Sequence, residues 1–451
     1  MTRTPGAVND TPAPNGRDAM FRKLTTAAFA LMLSAVQALS QGLIRDAEIE
    51  YALRQVAQPI LQQAGLPGSV KIYIINDDKM NAFVGNARAI FIHSGLLLRM
   101  ESADQLQAVL AHEAAHIANG HLTRRPAAAR QAATAAKLGL ILSVAAAAAG
   151  GSRAGMGVAA GTASAAQRTL FAHTRAEEAS ADQSSLRYMA AAGTDPKAAR
   201  EVLELFRGQE LLTIGRQDPY AQTHPLTRDR IRAVEGFAAA VTPRSVDRRA
   251  VDYWYARATG KLSAFLRAPR WTLRRVGRDM DEISVLRRAI AEHRQADLRG
   301  ALSAIDSLIA ARPGDAYYHE LRGQFLLESG QAAPAAASYG RAAQIAPREP
   351  LIQAGLGRAM MAAGQTAKAL QVLERARAND PYDPAMLRDL ATAHARQGNT
   401  GLASVATAER YAVLGRLDDA AIHAKRAEGL LPSGSSGWLR AQDILATAPR
   451  R

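Results

Sequence analysis

Two histidines one helical turn apart, with a glutamate beside the first, are the residues of this chain best suited to chemistry. His112, Glu113 and His116 lie in the run AVLAHEAAHIANGH, whose apolar residues predict a buried helix. An α-helix advances about 100° per residue, so both imidazoles lie on one face and can bind one Zn²⁺ ion. Glu113 is then placed to take a proton from a bound water molecule. The motif therefore predicts metal-assisted hydrolysis.

A catalytic zinc site needs a third protein ligand, which we expect on a later helix. Glu178 and Asp182 are four residues apart in TRAEEASAD and share one helical face. Glu178 is expected to bind the metal, and Asp182 to accept a hydrogen bond from a metal-binding histidine. The neighbouring Glu177 points about 100° away. His121 lies nine residues after His112 and would point away from the metal, so a structural or surface role is expected.

The segments before the metal helix predict a small sheet. Alternating apolar residues favour strands at 70–75, 81–84 and 89–92. An amphipathic helix is expected ahead of them, over 43–64. The first domain is therefore predicted to be α+β, mainly helical with a small sheet, and to extend over 41–245.

The C-terminal third repeats with a period of 34 residues. Three residue types keep this spacing: Pro313, Pro347 and Pro381; Gly330, Gly364 and Gly398; and Ala301, Ala335, Ala369 and Ala403. A turn glycine, a small residue where helices cross and a closing proline are typical of the tetratricopeptide repeat, an all-α solenoid with a concave binding surface. We place these repeats at 287–446, after a helical linker at 246–286. Beyond Gly398 the phase slips by half a repeat, so one helix near 401–413 is expected to serve both neighbours.

Residues 1–40 are interpreted as an export signal. Two basic residues precede the apolar run 24–36, and small residues suited to cleavage follow it. Met20 is the more usual start, because residues 1–19 are polar and rich in proline. The alternative is an uncleaved anchor, but polar residues make this stretch a poor membrane span. The sequence thus favours an exported protein with a cleaved signal.

A second apolar run begins after Lys137, where 15 residues carry no charge, and a Gly/Ala-rich stretch continues to Gln167. The uncharged run is shorter than the ~20 residues that cross a bilayer. Three roles remain open for 138–167: a buried or flexible helical hairpin, a mobile lid over the site, or an apolar patch that contacts a membrane peripherally.

The composition excludes several classes of protein. The chain has no cysteine, so disulfides, thiol nucleophiles, cysteine-bound zinc and a lipid-modified N-terminal cysteine are excluded. The formal net charge of +15 suggests nucleic-acid binding, but the arginines are scattered over helical stretches and no recognition motif is present. We expect solvated arginine-rich surface and no nucleic-acid partner, with attraction to an anionic membrane surface left open.

The motifs together resemble a known family. H-E-x-x-H followed by R-x-x-E-x-x-A-D, from Arg175 to Asp182, resembles the gluzincin family of the heat-shock protease HtpX and the CAAX prenyl proteases. The segments 81–83, 89–92 and 95–97 also match that family, although Thr174 stands where serine is usual. An export signal and tetratricopeptide repeats narrow the resemblance to BepA-like periplasmic metalloproteases, over essentially the whole mature chain.

This resemblance implies a zincin-type domain with one Zn²⁺ per chain and Glu113 as the general base. The zinc ligands it implies are His112, His116 and Glu178. It also implies that His224, in the segment THPLT, approaches the metal, and that Arg230 matches a basic residue that follows it. For His224 three roles stay open: a gate that excludes water, a group that stabilises the transition-state oxyanion, or a packing residue.

By resemblance, we expect a periplasmic zinc-dependent endopeptidase that degrades misfolded or stalled outer-membrane proteins. Unfolded substrates would pair through their backbone with a sheet edge near Asn81–Val84 or Ala89–Ile92. The repeats would dock on the outer-membrane assembly machinery. The alternative is a tetratricopeptide chaperone or assembly scaffold with latent proteolysis.

Overall fold

The computed structural model describes residues 42–121, 175–209, 212 and 216–447. The predicted export signal at 1–40 and the apolar stretch at 138–167 lie outside these residues. Within them, no helix is both long and apolar enough to cross a bilayer. The described chain starts as a helical unit with a small sheet and continues as stacked helix pairs, which confirms the predicted fold class.

A small sheet opens the first unit. Its strands are β1 (Leu43–Ile44), β2 (Lys71–Ile75), β3 (Ala82–Asn86) and β4 (Ala89–His93). Their order is β1-β2-β4-β3, with β4 parallel to β2 and antiparallel to β3. Three of the strands lie within two residues of their predicted positions. β1 replaces the start of the predicted helix, because Asp46 caps α1 (Ala47–Gln63) by accepting a hydrogen bond from the Ile49 amide, 2.9 Å away.

The two faces of the sheet differ in chemistry. One face buries Ile72, Ile74, Ile90 and Ile92 in the core beneath α1. The other carries an aromatic row in which Phe83 stacks on Phe91 and Phe91 on Tyr73, with ring centroids 5.3 and 5.6 Å apart. Gly85 ends this row, because a side chain there would overlap the ring of Phe91.

Further helices complete the first unit. They are α2 (Ser94–Leu97), α3 (Ala103–Ala118), α4 (175–192), α5 (Lys197–Glu204), α6 (Pro219–Thr223) and α7 (Arg228–Ala240). Ser102 caps α3 by accepting a hydrogen bond from the Gln105 amide at 3.2 Å. α3 packs between α1 and α5, and this central position buries the metal motif.

The rest of the described chain is helical. The elements are α8 (Arg249–Leu266), α9 (Pro269–Val276), α10 (Glu282–Arg294), α11 (Leu298–Ala311), α12 (Ala316–Glu328), α13 (Ala332–Ile345), α14 (Pro350–Ala362), α15 (Thr366–Asn379), α16 (Pro384–Arg396), α17 (Thr400–Val413), α18 (Leu417–Leu430) and α19 (Ser436–Thr447). From α10 onward, consecutive helices pack side by side.

The repeat landmarks have the structural roles that their spacing predicts. The turn glycines adopt the left-handed conformation that favours glycine after a helix, with φ of 77° at Gly330, Gly364 and Gly398. The alanines at the first three crossings, Ala301, Ala335 and Ala369, are completely buried. Ala403 is only half-buried, because the phase has slipped there. α17 contacts α16 on one side and α18 and α19 on the other, so it serves both neighbours as predicted.

α8, in the predicted linker 246–286, joins the two units through buried charges. Arg257 and Lys261 on α8 and Glu48 on α1 are all fully buried. The Glu48 carboxylate lies 2.5 Å from Arg257 Nε and 3.2 Å from Lys261 Nζ. Burial alone would raise the pKa of Glu48, but the two cations hold it below its usual value. Residues of α8 also contribute to the cores of both units.

The same cations reach the repeats. Arg257 pairs with Asp315 at the start of α12, and Lys261 Nζ lies 3.7 Å from Glu320 within that helix. A second bridge joins Arg45, next to β1, to the buried Asp380 at 2.6 Å. The first unit and the repeats are therefore connected by ion pairs that are largely buried.

Removing one partner of this buried network is expected to destabilise both units together. Glu48→Gln removes the fully buried carboxylate that both Arg257 and Lys261 contact, which costs about 3–5 kcal/mol and should lower the melting temperature by roughly 10 °C. Thermal unfolding followed by circular dichroism measures the change. The control is Arg249→Gln at the start of α8. It removes an exposed ion pair with Asp247, which lies just before that helix. A melting temperature equal to that of the control would contradict the assigned role.

Candidate metal centre

α3 carries the first two imidazoles into the protein interior. His112, Glu113 and His116 are between 1 and 5% exposed, so the predicted motif lies on a buried helix. Gln107 fixes this helix, since its side-chain amide donates to the Val56 carbonyl at 2.8 Å and accepts from Thr194 Oγ1 at 2.7 Å. The two histidine rings come within 4.8 Å of each other, centroid to centroid.

α4 brings the carboxylates to the same place. Glu178 and Asp182 are buried and face α3. Asn119, at the end of α3, fastens the two helices by donating to Ser180 Oγ at 3.1 Å and to Ser184 Oγ at 3.2 Å. Glu178 and Asp182, one turn apart on α4, therefore face His112 and His116, one turn apart on α3.

His224 arrives from a short loop after α6. Its amide donates to the Tyr220 carbonyl at 2.8 Å, and its ring lies 4.6 Å from the Tyr220 ring. Asp218 ties this loop to the start of the sheet edge by accepting a hydrogen bond from the Met80 amide at 3.0 Å. The Tyr220 amide donates to the Met80 carbonyl at 3.3 Å. α6, which carries His224 at its C-terminal end, is thus attached directly to Met80, two residues before β3.

Four buried donor atoms converge at this point. One ligand atom from each of His112, His116, Glu178 and His224 lies within 4.8 Å of all the others; we call this set the donor cluster. His112 Nε2 is 3.1 Å from His116 Nε2 and 3.2 Å from Glu178 Oε2. Glu178 Oε1 is 3.4 Å from His116 Nε2, and Glu178 Oε2 is 3.0 Å from His224 Nδ1.

These distances suit a tetrahedral metal ion. Donors about 2.0–2.1 Å from zinc at tetrahedral angles are about 3.3 Å apart, close to the values in the donor cluster. The Nδ1 of His112 lies 3.1 Å from Asp182 Oδ1, so Nδ1 donates there and Nε2 turns its lone pair toward the cluster. Lone pairs on nitrogen and carboxylate oxygen repel at this range unless a proton or a metal ion lies between them. The donor set therefore fits a bound divalent metal.

The electrostatics of the site point the same way. Burial lowers the pKa of His112, but Asp182 and Glu178 outweigh it and raise that pKa to about 10. Burial also opposes ionisation of Glu178, yet the charge of His224 and the hydrogen bond from His112 hold its pKa well below the usual value. The carboxylates thus create a strong demand for positive charge at the donor cluster.

Arg230 supports the carboxylates from α7. Its Nε donates to Asp182 Oδ2 at 2.7 Å and its Nη2 to Asp182 Oδ1 at 2.8 Å, while Nη1 lies 3.2 Å from Glu178 Oε2. Together with His112, this bidentate pairing holds the pKa of Asp182 at about 2, although burial raises it. Arg230 therefore orients His112 through Asp182. A guanidinium has no lone pair, so Arg230 itself cannot bind a metal ion.

Glu113 lies beside the donor cluster, next to His224. Its Oε1 is 3.5 Å from His224 Nε2, and this buried oxygen has no hydrogen-bond partner among the described residues. A buried carboxylate oxygen of this kind is available to accept a proton from a reacting group.

His121 corrects one sequence expectation. It is not a member of the donor cluster, but it is buried and its Nδ1 lies 2.9 Å from His116 Nδ1. The expected surface alternative is therefore wrong. The structural alternative agrees with its position, because His121 lies outside the donor cluster and follows the end of α3 at Ala118 and the turn at Gly120, φ 69°.

The sheet edge resolves another alternative. β4 is an inner strand, paired with β2 on one side and β3 on the other, so the predicted substrate edge at Ala89–Ile92 is wrong. β3 is the outer strand, and no strand of the described ranges pairs with its far side. The edge near Asn81–Val84 is thus the one that remains for backbone pairing.

Sequence reasoning missed the residues that hold the site in place. Tyr220 packs against His224, whereas Gln107 and Asn119 fasten α3 to segments distant in sequence by hydrogen bonds to Val56 and to Ser180. An amide or a tyrosine inside an apolar run was the one available signal, because a buried polar group needs a partner. The signal does not say which partner.

Comparison with known proteins agrees with this geometry. Residues 22–238 match peptidase family M48, and residues 326–393 match a tetratricopeptide-repeat family. The chain therefore contains a metallopeptidase domain of family M48 followed by tetratricopeptide repeats, as the sequence motifs predict.

Several curated proteins resemble the chain. The beta-barrel assembly-enhancing protease of Escherichia coli (strain K12) is 27% identical over 397 residues, which cover 84% of this chain and 79% of that protein. Protease HtpX of Tolumonas auensis is 42% identical over 79 residues, covering 17% and 26% of the two chains. The mitochondrial metalloendopeptidase OMA1 of Schizosaccharomyces pombe is 30% identical over 165 residues, covering 37% and 45%.

Glu178→Ala is expected to abolish tight metal binding, because it removes the one carboxylate of the donor cluster. The matched control is Glu177→Ala, which removes the neighbouring carboxylate on the same helix and should leave the metal content unchanged. Elemental analysis of the two purified variants measures the difference. Equal metal content in both would show that Glu178 is not a ligand.

Proposed function

We propose that the protein is a periplasmic zinc-dependent endopeptidase with one Zn²⁺ per chain. The observation that carries this proposal is the buried donor cluster with Glu113 at its edge. Nitrogen and carboxylate donors at tetrahedral spacing suit zinc. His112, His116 and Glu178 would hold the ion, as the family resemblance implies. The export signal expected at 1–40 and the resemblance to periplasmic relatives support the location.

The chain's own residues supply proton transfer and orientation. His112, His116 and Glu178 would hold a zinc ion, which would supply Lewis acidity toward the scissile carbonyl and toward a bound water molecule. Glu113 takes the proton of the attacking water and delivers it to the leaving amine. Asp182 keeps His112 in one tautomer by accepting from its Nδ1, and Arg230 fixes Asp182 with two hydrogen bonds. His121 sets the ring of His116 in the same manner.

The substrates we propose are unfolded or misassembled chains. The free edge of β3 offers backbone groups to an extended segment, and backbone pairing reads little sequence. Asp218 and Tyr220 tie this edge to the loop of His224, so a bound segment would lie close to the donor cluster. Such selectivity for conformation suits the removal of misfolded proteins.

Outer-membrane proteins are the substrate class favoured by the relatives. The Escherichia coli relative is named a beta-barrel assembly-enhancing protease, and the shared region includes both the peptidase domain and the repeats. We propose that this chain also degrades stalled or misassembled outer-membrane proteins, and that its repeats dock on the assembly machinery. The buried ion pairs on α8 would keep a docked partner in fixed relation to the active site.

A chaperone or assembly scaffold with latent proteolysis remains the second candidate. The observation that favours it is His224, which completes a four-donor cluster. Four protein donors fill a tetrahedral site and leave no position for water.

Glu113→Gln distinguishes the two functions. It removes the proton acceptor but no donor of the cluster, so zinc content and folding should stay at the wild-type level. Cleavage of casein should fall by about 10²–10⁴-fold, the usual contribution of a general base. Chelator treatment of the wild-type protein should abolish the same cleavage.

Complementation of a deletion strain provides the decisive comparison. The protease proposal expects Glu113→Gln to fail in restoring outer-membrane assembly. Full complementation by this variant would contradict the protease proposal and support the scaffold function.

We also propose that His224 restrains the resting enzyme. Its Nδ1 faces the donor cluster while its Nε2 lies 3.5 Å from Glu113. The imidazole therefore occupies the space between the general base and the other donors, where the attacking water must lie. Unfolded outer-membrane proteins in transit would be at risk from an unrestrained enzyme.

His224→Ala should raise basal casein cleavage several-fold while zinc content stays constant. The double variant His224→Ala/Glu113→Gln serves as the control, because the gain must disappear if it arises at this site. Activity is measured per bound zinc. A drop in activity at unchanged zinc would assign His224 to stabilisation of the oxyanion and would exclude the gate.

A further inference from the structure

The segment around α9 forms an exposed surface rich in arginine and without acidic residues. Between positions 267 and 278 the chain has five arginines, one tryptophan and no aspartate or glutamate. All six of these side chains are exposed. We call this surface the arginine patch; its members are Arg267, Arg270, Trp271, Arg274, Arg275 and Arg278.

The helix geometry directs the patch outward. Thr272 and Val276 are one turn apart, buried, and attach α9 to the protein. The four patch residues on α9 occupy an arc of about 140° on the other side of the helix. α9 is therefore a short amphipathic helix with a cationic outer face. Met280, which is 76% exposed, adds an apolar side chain just beyond it.

The positive charge of the patch is not neutralised within the described chain. No described carboxylate lies within ion-pair distance of the five arginines, whereas the neighbouring Arg257 and Arg312 are both paired. Of the nearby acids, Asp281 caps α10 and Glu282 pairs with Arg312 at 2.8 Å, while the exposed Asp279 follows the patch at its C-terminal end. Burial and the charge of Arg275 lower the pKa of Arg287 on α10, as expected where the local potential is positive.

We propose that the arginine patch is a peripheral binding site for a bilayer surface that carries anionic phospholipids. Guanidinium groups bind phosphate oxygens in a bidentate manner. Tryptophan is enriched at the headgroup level of membranes, and Arg267 lies over the Trp271 ring with its guanidinium carbon 5.9 Å from the centroid. A bilayer meets the charges with its phosphate groups and the exposed indole with its headgroup region, so one surface accounts for both features.

A nucleic-acid partner fits the patch less well. Sites for single strands stack successive bases on several aromatic rings, and the patch contains one. Readers of duplex DNA place a longer helix or a ribbon in the major groove, whereas α9 has eight residues. A bilayer requires neither feature, because it needs cationic and interfacial side chains on one convex surface.

Membrane binding at this position would orient the whole enzyme. α9 packs against α10, at the start of the repeats, and directly follows α8. Because α8 is joined to both units by buried ion pairs, a contact through α9 would hold the catalytic centre and the repeats together at the membrane.

Vesicle flotation of the full chain tests the proposal. The probe is a phosphatidylcholine vesicle with about 30% phosphatidylglycerol at low salt, since each arginine near an anionic surface adds about fivefold to binding. The patch variant is Arg270→Gln/Arg274→Gln/Arg275→Gln/Arg278→Gln. The control removes four exposed arginines without ion pairs on the repeats: Arg299→Gln/Arg341→Gln/Arg348→Gln/Arg375→Gln.

We expect the patch variant to bind at least about 100-fold more weakly than the wild type, and the control variant to bind nearly as well. Both variants keep residues 24–36 and 138–167, so any affinity from those segments is the same in each. Melting temperature and casein cleavage verify that both variants are folded.

Two outcomes would overturn the proposal. Equal loss of vesicle binding in both variants would show that net charge, and not the patch, is responsible. Patch-dependent binding of a short DNA duplex, without binding of vesicles, would assign the surface to nucleic acid instead.

Discussion

Compensation of buried carboxylates is the constraint on which the metal centre depends. A carboxylate that leaves water must be matched by cations and hydrogen-bond donors. Glu178 and Asp182 meet this condition only when α3, α4 and α7 come together, because His112 and Arg230 lie on the other two helices. The negative charge that His112 and Arg230 do not compensate lies at the donor cluster, where a cation would be stabilised. Fold and metal affinity thus have the same electrostatic origin.

The same constraint operates again between the two units. The charge of the fully buried Glu48 is compensated by Arg257 and Lys261. These cations also pair with Asp315 and Glu320, at the start of α12 and within it. Buried ion pairs of this kind add little net stability, since desolvation offsets the attraction, but a mismatched arrangement is costly. We interpret the network as a device that selects one orientation of the repeats on the catalytic unit.

The outer edge of the sheet is hydrogen-bonded to the segment that carries His224. Met80 precedes the free edge of β3 and exchanges hydrogen bonds with Asp218 and Tyr220. A strand added to that edge would act on the segment that places His224 in the donor cluster. Substrate binding and release of the proposed restraint would then be coupled through the contacts of Met80 with Asp218 and Tyr220.

Local periodicity explains what the sequence determined by itself. The i,i+4 pairs of α3 and α4 and the 34-residue spacing of the repeats depend on helix geometry, which holds wherever a helix forms. Strand positions followed from alternation, although Asp46 shifted the first helix start. Only the tertiary structure decided that β3 is the edge, that His121 contacts His116, that His224 joins the donor cluster, and that α8 is shared by two cores. Each of these depends on which distant segments meet, and that is set by packing and by the pairing of buried charges.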